Sequence, residues 1–128
     1  MTTIPLLAKI GIVEIAFGVI SGWVLIAAEE KPELFKKLGL VSFRQLVSAH
    51  VSILLMGVAV AAAGAIVNPV PAWVVAAILF GSVVDPLLFV PLAFGLDRNS
   101  SRFFRVTAAL AFVSLSIGFV AVAGIAVL

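Results

Sequence analysis

The chain has 128 residues, 64% of them hydrophobic and 11% charged, with a formal net charge of +2 and a mean hydropathy of +1.35. A water-soluble domain of this length has too little interior for so much apolar surface, so the bilayer is the expected solvent. The lack of cysteine excludes disulfides, thiolate catalysis, zinc–thiolate and iron–sulfur centres, and the lack of tyrosine removes phenolic acids.

Four apolar runs reach the ~20 residues needed to cross ~30 Å of hydrocarbon. They cover approximately 5–28, 43–67, 72–95 and 103–128, and make one transmembrane domain of residues 1–128. The first run opens without a basic segment, and no small-residue cleavage site precedes the next loop. It is therefore expected to be a retained span, not a signal peptide. Spans two and three are separated only by "NPVP", Asn68 to Pro71, which forces a hairpin. In the third span, Pro86 has no N–H to offer the carbonyl of Ser82, so a bend is expected there. Backbone groups must pair internally in lipid and no run alternates as a barrel strand does. The predicted fold is all-α, an integral membrane antiparallel four-helix bundle.

Seven of the eight basic residues, Lys31, Lys36, Lys37, Arg44, Arg98, Arg102 and Arg105, flank the first and third connections; Lys9 lies near the opposite side. The positive-inside rule predicts cytoplasmic loops at 29–42 and 96–102, with both termini outside. Charge confined to short loops reads as membrane orientation, with no nucleic-acid face.

Each span carries small or polar residues at helical spacing: Gly11, Glu14, Gly18 and Ser21/Gly22; His50, Gly57, Ala61 and Gly64; Gly81, Ser82 and Asp85; Thr107, Ala111, Ser114, Gly118 and Ala121. For the glycines and alanines, close helix packing is the simplest reading. Glu14, His50 and Asp85 need another, because an ionisable group at the bilayer centre costs about 2.5–3.5 kcal/mol on insertion scales. Glu14 and Asp85 fall near the midplane, and His50 lies roughly 9 Å in from Arg44 at the helical rise. All three are expected to line one pocket open to the cytoplasmic side.

His50 is the only histidine. One imidazole without cysteines cannot close a zinc site. It suffices as the axial ligand of a haem, where the porphyrin supplies the other donors. Ala49, Ser52, Ile53 and Gly57 around it are modest in size, leaving room for a flat macrocycle.

At these residues a resemblance emerges. "FGVISG" in the first span, "RQLVSAHVSILLMG" in the second, "FGSVVDPLLFVPLAFG" in the third and "SLSI" in the fourth are together similar to small four-span styrene oxide isomerases and hydroxylaminobenzene mutases. The resemblance implies a trimeric bacterial inner-membrane enzyme. Its haem b would be held by His50, and its ferric iron would act as a Lewis acid on a small apolar epoxide or aryl hydroxylamine. It also implies that Gly57 gives the porphyrin or substrate room. The isomerase asparagine before that glycine is Met56 here, and the third-span tyrosine has no counterpart. Asp85 and Glu14 then stand as the acid–base candidates. Ser52, Met56 and Ser82 are expected to line the substrate side, with Arg44 and the lysines at positions 36 and 37 near the propionates.

Two other classes compete. Glu14 in the first of four short spans also suits a small proton-coupled multidrug transporter, although Trp23 and Trp73 sit where interfacial anchors belong. Polar stripes alone would also suit a non-catalytic membrane subunit.

Overall fold

A computed structural model describes residues 4–96 and 101–128; Arg98 and the third connection around it lie outside the described residues. Among the described residues six helices follow one another: α1 Leu6–Glu30, α2 Pro32–Lys37, α3 Phe43–Ile66, α4 Ala72–Leu87, α5 Phe89–Ala93 and α6 Arg102–Val127. Four units, α1, α3, Ala72–Ala93 and α6, are long and apolar enough to cross a membrane. They pack together as an all-α four-helix membrane bundle.

The ends of α1 follow from local chemistry. Pro5 precedes its first residue, and Lys31, the residue before Pro32, leaves the helical region at φ −128°. Pro32 then starts α2, with Glu33 in its first turn and Lys36 and Lys37 in its last, each complementing the helix dipole. Gly39, at φ +102°, turns the chain out of α2, and Leu40 N–H donates to the Phe35 carbonyl at 2.9 Å. Ser101 caps α6 by accepting from Phe104 N–H at 3.2 Å.

The third span is broken in two. Pro86 lies within α4, and the helix yields at Leu88, whose N–H reaches both the Val84 and Asp85 carbonyls. Pro91 in α5 removes a second donor. The interruption falls at Leu88, two residues beyond Pro86, where the dihedrals stay in the right-handed helical region. The far end of α5 is tied down because the Ala93 carbonyl accepts from Val41 N–H at 2.9 Å and Ser42 N–H at 3.0 Å.

Helices meet where side chains are absent. α1 and α3 form one close pair: the Cβ positions of Gly11 and Gly64 run into the backbones of Ala61 and Ala8, and a Cβ at Gly57 would lie 2.8 Å from Ile15 N. α4 and α6 form the other, with Gly81 seated on Ala111 and Leu115 and Gly118 on Ile78. Close approach gains dispersion contact where lipid gives no hydrophobic drive. Leu7, Val60, Val67, Val74, Ile78 and Val122 join all four spanning units at one end. Large apolar side chains elsewhere, Trp23, Ile66 and Phe103 among them, face outward, as a lipid-solvated surface requires.

Candidate functional site

A groove of about 770 Å³ runs along α1, between it and the α4–α5 unit, with α3 at its back and Phe35 of α2 and Phe94 at one end. Its walls are almost wholly apolar. The polar side chains lining it are Lys9, Glu14, Ser21 and His50. Glu14 and Ser21 are seven residues apart on α1, which puts them on one face about 10 Å apart along the axis.

Hydrogen counting defines the histidine. Ser21 Oγ donates to the Gly18 carbonyl at 2.6 Å and lies 2.8 Å from His50 Nδ1. A hydroxyl has one hydrogen, already given to Gly18, so Nδ1–H is the donor to Ser21. In the neutral ring that tautomer leaves the lone pair on Nε2. The ring rests on Gly22, where a Cβ would stand 3.3 Å from His50 Cε1. Ser21 and Gly22 therefore set the tautomer and seat of the imidazole; they are the site residues that sequence reasoning did not assign. Their signal was the helical spacing of seven and eight from Glu14.

The carboxyl is held differently. Ser82 Oγ donates to Glu14 Oε1 at 2.6 Å, and the two residues are 0% and 4% exposed. Glu14 Oε2 is buried without a hydrogen-bond partner among the described residues.

Of the expected site residues, His50, Glu14 and Ser82 come together around this groove. Asp85 does not. It lines a separate cavity of about 250 Å³ with Phe104 and Arg105, between the α4–α5 break and α6. One pocket for all three ionisable groups is thus corrected to two, because Ser82 turns to α1 while Asp85, nearly a full turn on, meets α6. Ser52 and Met56 line a shallow depression with Val51 and Leu55 on another face of α3. Gly57 is filled by Ile15 and Gly11 of α1, which occupy the space a porphyrin would need there. Arg44 is exposed at the start of α3, where its carbonyl accepts from Ser48 at 3.1 Å.

A metal held by protein donors alone has no candidate cluster: among the described residues no three of His, Cys, Asp or Glu gather. A single-imidazole site makes a smaller demand, and the donor set fits it. Metal-bound histidines commonly give their second ring N–H to a fixed acceptor, as His50 does to Ser21. Comparison with family models, curated proteins and solved structures gave no match.

Proposed function

We propose that this chain is a membrane enzyme of the isomerase or mutase type that binds haem b through His50 Nε2 and acts on a small apolar molecule. The observation that carries the reading is the Ser21–His50 contact, which leaves Nε2 available on a ring lining the lateral groove. When bound, ferric haem supplies a Lewis-acidic iron to a substrate oxygen. The protein's own part is to orient the imidazole through Ser21 and Gly22, to keep water from the apolar walls, and to admit substrate from lipid. Lys36 and Lys37 follow Phe35 at the end of the groove, so basic groups for the propionates lie near its rim. Glu14 and Ser82 add a second polar point, about two helical turns from Ser21. The reading includes a bacterial inner-membrane location, cytoplasmic basic loops with both termini outside, and assembly as a homotrimer that encloses the lateral groove.

The test is purification after haem-replete expression. Wild-type protein is expected to carry haem b in a fixed ratio to chain and to show a Soret band. Colourless protein contradicts the reading.

A further inference from the structure

Glu14 Oε2 is a buried polar atom that nothing in the fold explains. Its partner oxygen accepts from Ser82, the residue is 4% exposed and lines the groove, and Oε2 itself has no partner among the described residues. A buried acceptor left unpaired costs the desolvation it never recovers. Such an atom in a native fold calls for a missing partner.

We propose that Glu14 and Ser82 form an amine-binding subsite that takes the primary amino group of a long-chain apolar molecule lying in the groove.

Three observations select that chemistry. First, among the described residues no cation reaches Glu14 Oε2 within hydrogen-bonding distance, although Lys9 lines the same groove. Lys9 precedes Glu14 by five residues, about 140° round the helix. Arg105 lines the other cavity, and the His50 Nδ1 proton is given to Ser21. Second, Ser82 already supplies a donor to Oε1, so the vacancy is for a further donor at Oε2. An amine meets this whether the shared proton rests on nitrogen or oxygen, while an alcohol brings one donor and no charge. Third, the groove follows α1 from Leu6 to Leu25, about 28 Å at the helical rise. Walls such as Ile10, Val13, Ile53 and Val83 suit a linear alkyl chain drawn from the bilayer. The subsite shares the groove with His50 and does not depend on haem.

The full chain in nanodiscs, measured against empty nanodiscs with radiolabelled dodecylamine, provides the test. Saturable binding is expected, weakened about tenfold or more in Glu14→Gln, the usual effect of losing a hydrogen bond to a charged group. Ser82→Ala is expected to weaken it less. Dodecanol and dodecyltrimethylammonium, the latter unable to donate, are expected to compete poorly on the wild type, a comparison that needs no variant to fold. His50→Ala is expected to retain amine binding while losing any Soret absorption, which separates this proposal from the haem reading. Binding no greater than to empty nanodiscs overturns the proposal. So does equal binding by Glu14→Gln, or displacement by the trimethylammonium compound as efficient as by the amine itself.

Discussion

Ser82 Oγ on α4 donates a 2.6 Å hydrogen bond to Oε1 of Glu14 on α1, joining residues 68 apart in sequence at a buried point. Few other contacts join these two helices. Removing only the donor strands both carboxyl oxygens, so Ser82→Ala is expected to cost about 1–3 kcal/mol. Replacing both members, as in Glu14→Met with Ser82→Ala, removes the unpaired buried oxygen and is expected to restore stability to the wild-type level or above. Thermal unfolding of the four proteins in one detergent closes the cycle; additive losses would contradict the pairing.

The glycines make opposite predictions according to what surrounds them. A methyl at Gly57 meets the backbone nitrogen of Ile15 at 2.8 Å, whereas nothing lies within 4 Å of one at Gly124. Gly57→Ala is expected to destabilise by about 1–3 kcal/mol because a helix must move. Gly124→Ala should be neutral or slightly stabilising, since alanine is the better helix former. Unfolding midpoints of the two variants are the measurement.

Two small changes on α1 should be felt at His50. Ser21→Ala removes the acceptor of the Nδ1 proton and frees the ring and its tautomer. Gly22→Ala puts a methyl 3.3 Å from Cε1, displacing the imidazole by a few tenths of an ångström. Both variants should stay folded yet shift the Soret maximum or reduction potential of haem-loaded protein, through the partner that orients the ligand. Spectra identical to wild type would separate Ser21 and Gly22 from the cofactor.

Orientation is open to direct labelling, because the chain has no cysteine of its own. With the basic connections inside, Asn68→Cys should react with a membrane-impermeant maleimide on spheroplasts, and Leu38→Cys only after lysis. The reverse pattern would invert the topology.

The spans were legible because crossing a bilayer demands long apolar runs, which survive any detail of packing. Less was legible where structure depends on a partner. The stripes on α1 and α3 announced close contacts, but not that Gly11 would meet Ala61 and Gly64 would meet Ala8. α2 sits inside a polar loop too short for a hydrophobic period to show, and only Pro32, Glu33, Lys36, Lys37 and Gly39 mark its start and stop. Asp85 lies apart for a rotational reason: three residues after Ser82 leave it about 60° off that face, and it lines a different cavity with Arg105 and Phe104. Ser21 read as one more small residue, and its hydrogen bond to an imidazole 29 positions away required coordinates.

His50 is the proposed iron ligand, and chemical rescue tests that bond most directly. His50→Gly is to be purified from haem-replete cells beside the wild type, with and without free imidazole during growth and extraction. A Soret band is expected in the wild type, with its loss in the variant and its return when imidazole fills the vacated space. A variant that keeps the wild-type spectrum without imidazole, or a wild type with no haem at all, would contradict it.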